Sequence, residues 1–145
     1  MARGRKRYAY ADTAQQVVGG FVLAGPFVVT EEVWLLASRM QYYHAVATVL
    51  MVAIIGYGAL YKADDDRDPD REAEVAGVPV RFISLMAVSF GSVVVLSLAL
   101  TAPTTFATQL DLGTDVAVVA PLTAKAASVG AIFSVVGAAT ADSLL

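Results

Sequence analysis

The chain has 145 residues, 57% of them hydrophobic, and its mean hydropathy is +0.65. That is too apolar for an ordinary soluble domain and suits a small multi-pass membrane protein. The net charge is -3, cysteine is absent and His44 is the single histidine, which excludes disulfides, thiolate metal sites and a histidine zinc cluster.

The N-terminus is basic, with Arg3, Arg5, Lys6 and Arg7 ahead of Tyr8 and Tyr10. An apolar run over 17–37 follows, long enough to cross about 30 Å of hydrocarbon. Asp12 and the Gln15-Gln16 pair intervene, and no A-x-A site follows, so the run reads as a retained anchor rather than a cleaved signal. Gly20 and Ala24, and Phe21 and Gly25, are each four apart, a spacing that lets helix backbones approach closely. Gly19 extends the small surface. Pro26 removes a backbone donor and predicts a kink just before Glu31 and Glu32.

The second span is 44–61, with Arg39 before it and Lys62 after it. A loop over 62–81 then carries Asp64, Asp65, Asp66, Asp68, Asp70, Glu72 and Glu74, interleaved with Arg67 and Arg71. It reads as a solvated linker of the kind found on proteins from salt-adapted halophiles, and it lacks the ligand spacing of a calcium loop. The third span is 82–102, free of charge. The fourth is 116–141, where Pro121 lies one turn before Lys125.

The expected fold is therefore all-α, a single integral membrane domain over 1–145 with four transmembrane helices. Barrel-type alternation is absent. With both termini cytoplasmic, eight basic residues lie inside and only Arg39 outside, as the positive-inside rule requires. The expected location is the cell membrane. Trp34, Tyr42 and Tyr43 suit the outer interface.

A charge in hydrocarbon costs about 2.5–3.5 kcal/mol on insertion scales, so intramembrane ionisable residues usually face a protein interior. Counting about 1.5 Å per residue puts Glu31 about 21 Å along the first span and Lys125 about 13 Å from the start of the fourth. Antiparallel spans bring them to similar depth. The predicted centre is thus a carboxylate–lysine layer of Glu31, Glu32 and Lys125, with Thr30, His44 and Ser128 as polar neighbours. One glutamate would pair with Lys125. A first span ending near Thr30 would instead leave both glutamates at the outer interface. Gly19, Gly20, Gly25, Pro26 and Pro121 are the expected packing and helix-break positions.

No phosphate loop and no nucleophile–base motif appears. The expectation is a protein that is not an enzyme, with no cofactor, no metal and no nucleic-acid partner. The leading function is passage of a proton, an ion or a small solute through a homo-oligomer in the lipid bilayer. The alternative is a scaffold or accessory subunit of a membrane complex.

The segment from Gly19-Gly20 to Pro26, then Thr30, Glu32 and Trp34, resembles a family of small prokaryotic integral membrane proteins known only as a domain of unknown function. Its members tend to carry G-G-x-x-x-x-x-P followed by T-x-E-x-W in the first span. The resemblance implies that Glu32 rather than Glu31 is the functional carboxylate. It implies no activity. Members are often longer, which implies a shortened chain that assembles from several copies. The acidic loop would place this member in a haloarchaeon.

Overall fold

A computed structural model describes residues 10–62 and 74–144. Helix α1 (Tyr10–Val28) starts seven residues before the expected span over 17–37 and ends nine residues before its expected end at Ala37. Asp12 in its first turn is favourable to the helix dipole. Pro26, near its far end, has no N–H to donate, and the helix stops two residues later. Helix α2 (Glu31–Arg39) then leaves at 82°. The kink expected after Pro26 is thus a full break, and the run over 17–37 forms two helices rather than one kinked span. Thr30 sits between the two helices in an extended conformation, its hydroxyl donating to Pro26 O at 2.6 Å.

Helix α3 (Tyr42–Tyr57) opens with a reciprocal cap, in which His44 Nδ1 accepts the Gln41 N–H at 2.9 Å. It runs on into a π-helical turn over Gly58–Lys62. Strands β1 (Glu74–Val75) and β2 (Val78–Pro79) form an antiparallel hairpin. Its two turn residues, Ala76 and Gly77, both have positive φ, as a tight hairpin turn demands. Helix α4 (Val80–Ala99) follows directly. A short helix, α5 (Ala102–Gln109), was not foreseen; the left-handed Thr101 starts it and Pro103 sits in its first turn. Helix α6 (Val116–Leu144) runs through Pro121 without a break. Its 29 residues reach about 43 Å, well beyond the hydrocarbon thickness.

Among the described residues, three helical stretches are long and apolar enough to cross a membrane, and the bent α1–α2 pair makes a fourth candidate. Helix α6 is the centre, packing against α1, α4, α3, α2 and α5. The closest approach is between α1 and α6. A Cβ on Gly19 would lie 2.1 Å from Gly137 O, so only glycine lets these backbones meet. Beside it, Ser134 donates to Gly20 O at 3.1 Å, binding the two helices at a place with no room for a side chain.

The core forms two clusters along the bundle. One, towards the hairpin, joins Val52, Leu60, Leu85, Ala131, Val135 and Ala138. The other, at the opposite end, joins Ala24, Val28, Trp34, Val93, Ala107 and Ala126. There α2 and α5 form a cap over the ends of the long helices, with Trp34 stacked on Phe106 at 5.7 Å. Trp34 was expected to face the membrane interface, but it is only 1% exposed. Its indole Nε1 donates to Val28 O at 2.9 Å, satisfying a carbonyl that the end of α1 leaves open.

Candidate functional site

Among the described residues, buried charge collects at the hairpin end. Arg81 is the second residue of α4 and is 1% exposed. Its Nη1 donates to Asp142 Oδ1 at 2.7 Å, and its Nη2 to Asp12 Oδ2 at 3.3 Å. Gln16 Nε2 donates to the other oxygen of Asp142 at 3.0 Å. Ser84 Oγ donates to Gln16 Oε1 at 2.6 Å, and Thr13 Oγ1 lies 3.5 Å from Ser84 Oγ. Three helices thus meet through one polar network. Asp12 and Gln16 come from α1, Arg81 and Ser84 from α4, and Asp142 from the last turn of α6.

The placement runs against local helix electrostatics. A cation at the N-terminus of α4 and an anion at the C-terminus of α6 each oppose their own helix dipole. Antiparallel packing lays these two ends side by side, and the opposite charges compensate one another. Gln16 lies six residues into α1, about 9 Å from its start, so the network reaches inward from the bundle end. The Asp12 side chain is 20% exposed and joins the buried pair to the surface. One helical step further in, the hydroxyls of Ser92 and Ser134 flank Gly20. Ser92 donates to Val88 O at 2.5 Å, and Ser89 to Leu85 O at 2.6 Å.

The expected carboxylate–lysine layer is not assembled. Glu31 and Glu32 are exposed in the first turn of α2, and Lys125 is half-buried in α6. Among the described residues, the ion pairs are Arg81–Asp12 and Arg81–Asp142, and none joins either glutamate to Lys125. The reason is the elbow at Val29 and Thr30, which turns the glutamates away from the bundle axis. Register explains the lysine. From the Gly19–Gly137 contact, Val28 is nine residues up α1 and Lys125 twelve residues up α6. Lys125 therefore stands about 4–5 Å beyond the end of α1, past the point where the chain turns into α2.

The polar neighbours are engaged locally. Ser128 is buried and donates to Lys125 O at 2.7 Å. His44 is exposed at the start of α3, beside Tyr43. Gly19 and Gly20 are packing positions, whereas a Cβ on Gly25 would meet nothing nearer than Leu96 at 3.9 Å. Pro121 is exposed in the second turn of α6. The basic N-terminal cluster and the acidic run from Asp64 to Glu72 lie outside the described residues. Glu74, the last of the acidic series, is exposed in β1.

Sequence reasoning missed the Arg81 network. Arg81 counted only as one more basic residue inside, Asp12 and Gln16 only as evidence against a signal peptide, and Asp142 not at all. The available signal was that opposite charges border the third and fourth apolar runs on the same predicted side of the membrane. Among the described residues, no three His, Asp or Glu side chains are grouped as a metal site would require.

No curated protein and no solved structure matches the chain. A family model described as "Putative integral membrane protein (DUF2391)" matches residues 2–142. That match covers nearly the whole chain, and it agrees with three to four apolar spans arranged around a central helix, so the chain belongs to the DUF2391 family of integral membrane proteins.

Proposed function

We propose that this protein exchanges a proton or a small cation at the membrane, with Asp142, Asp12 and Arg81 as its ionisable centre. The observation that carries the reading is the guanidinium of Arg81, buried in a membrane bundle and shared by two carboxylates. Ionisable groups buried among membrane helices are rare and are by default candidates for ion or proton sites, and these three lie in the end turns of α1, α4 and α6. Asp12 supplies the contact with water, Arg81 holds the carboxylates in place, and the hydroxyls of Ser84, Ser92 and Ser134 continue the polar surface inward. The role assigned is non-enzymatic. The chain works in the cell membrane as a homo-oligomer with both termini cytoplasmic, which places the Arg81 centre on the cytoplasmic side.

The experiment is flux into proteoliposomes containing the wild type, Asp142→Asn or Asp12→Asn. Proton or cation flux in the wild type, lost in Asp12→Asn while the thermal transition stays in place, supports the reading. Wild-type vesicles no leakier than empty ones would overturn it. Orientation is tested separately with single cysteines at Glu74 and Thr108, which should label from the inner and outer faces respectively.

A second reading, an accessory or scaffold subunit, is favoured by the Gly19–Gly137 contact. That contact closes the bundle between α1 and α6, and the buried serines donate to carbonyls of the bundle itself. On this reading the Arg81 network only fixes helix register. Crosslinking in native membranes that captures a different protein, together with absent flux, would favour it.

A further inference from the structure

The corner between α2 and α3 is held by local bonds. Helix α2 ends at Arg39 and α3 begins at Tyr42, so two extended residues, Met40 and Gln41, join them. The Met40 N–H turns back to Ala37 O. The Gln41 N–H goes to a side chain, donating to His44 Nδ1 at 2.9 Å. Tertiary packing adds little here. Tyr42 and Tyr43 are 78% and 58% exposed, His44 is exposed, and the buried residues of α3 are Val52 and Gly56, further along. A helix end with few buried contacts opens locally at low free energy, without the rest of the fold. One cap bond is therefore a large share of what holds the first turn of α3.

That bond exists in one protonation state. Nδ1 accepts as the bare nitrogen of a neutral imidazole whose proton is on Nε2. A second proton makes Nδ1 a donor facing another donor, and the bond is lost. The imidazolium would also sit at the N-terminus of α3, where the helix dipole disfavours a cation and the first turn has no acidic residue to offset it. The surrounding charges do not help. Arg39, on α2, lies two residues before Gln41. Lys125, on α6, stands level with Val46 when both helices are counted back ten residues from the contact of Gly56 with Val135. Both are cations. The carboxylates of Glu31 and Glu32 lie at the far end of α2, about 10–12 Å from Arg39, and Asp111 and Asp115 precede Lys125 by about 15 Å of helix or more. Tyr42 and Tyr43 are the remaining titratable neighbours, the Tyr43 ring lying 4.3 Å from the imidazole.

We infer that His44 is a pH-sensitive clasp. Neutral, it holds the α2–α3 corner closed; protonated, it releases the corner and frays the first turn of α3. The sign follows from the bond. Histidine changes charge between about pH 5 and 8, so the clasp is complete at the alkaline end of that range and lost as the pH falls through it. The inference depends neither on flux nor on the Arg81 centre.

The chain has one histidine and no cysteine, so each probe reports on a single place. Tyr42→Cys, carrying a nitroxide and reconstituted in vesicles, would be followed by spin-label mobility from pH 8 to pH 5, with His44 intact or with His44→Gln or His44→Ala. Ile54→Cys, beyond Val52 and 71% exposed, is the control. Glutamine is an ordinary capping-box residue at this position, and its side chain accepts the same N–H without titrating. With His44 intact, the Tyr42 label should be held at pH 8 and severalfold more mobile at pH 5. It should stay held throughout with His44→Gln and mobile throughout with His44→Ala, while the Ile54 label does not change. An equal pH response in His44→Gln would overturn the inference by assigning the response to another group. No response with His44 intact, or one shared by the Ile54 label, would overturn it too. Nitrogen NMR of the one imidazole decides independently of any variant. At pH 8 the neutral Nε2–H tautomer is expected, and an Nδ1–H tautomer would overturn the clasp.

Discussion

The two ends of the bundle both carry charge, and they hold it in opposite ways. At the hairpin end, Arg81, Asp142 and Gln16 are buried and bonded across three helices. At the cap end, Glu31, Glu32 and Arg39 are exposed along one short helix, acidic in its first turn and basic in its last, as its dipole favours. The buried end locks helices together through side chains that would be costly alone. The exposed end is held by Trp34 and small apolar contacts, and its charges stay on the surface of the bundle. In a membrane protein, depth along the sequence is thus a poor guide to burial where a helix can turn.

That contrast can be broken most severely at Arg81. Arg81→Met strands Asp142 in the core, and removing one member of a buried pair costs about 3–5 kcal/mol. Thermal unfolding in detergent should show a large loss, with Arg81→Met/Asp142→Leu recovering much of it. A single change as mild as a surface mutation would mean that the network bears no structural load. Next comes Gly19→Val, which drives a side chain into Gly137 O; overpacking of this kind costs about 1–3 kcal/mol, and backbone on the other side leaves little room to relax. The same assay should show a clear downward shift, whereas Gly25→Ala should show little.

Smaller effects belong to the cap. Trp34→Phe keeps the ring beside Phe106 but removes the Nε1 bond to Val28 O, for a loss of about 1 kcal/mol. The α1–α2 elbow should loosen first, seen as faster amide exchange at Val28 to Val33. The smallest effect is a double-mutant cycle on Glu32→Gln and Lys125→Met. Groups that do not touch add independently, within about 0.3–0.5 kcal/mol. A coupling several times larger would restore the carboxylate–lysine layer and end the contrast between the two ends. The same cycle on Arg81 and Asp142 is the positive control.

Much of the architecture was legible in the sequence because hydropathy answers to a single physical constraint. Backbone in lipid must be paired internally, so long apolar runs become helices, and α3, α4 and α6 fall close to the runs over 44–61, 82–102 and 116–141. Gly19 and Gly20 announced close packing, and Pro26 announced a break just before the glutamates. The break itself is a short-range matter: a proline near a helix end, then Thr30 in extended backbone.

The sequence by itself determined that this chain is a membrane protein of several helices, because composition and apolar run length are properties of the chain alone. Only the tertiary structure decided which charges are buried. The 82° turn at Val29 and Thr30 removed Glu31 and Glu32 from the interior, and the register of α6 on α1 set Lys125 beyond the end of α1. Antiparallel packing of α4 on α6 brought Arg81 to Asp142 across 61 residues of sequence. Those outcomes depend on angles and registers between helices, which hydropathy does not encode.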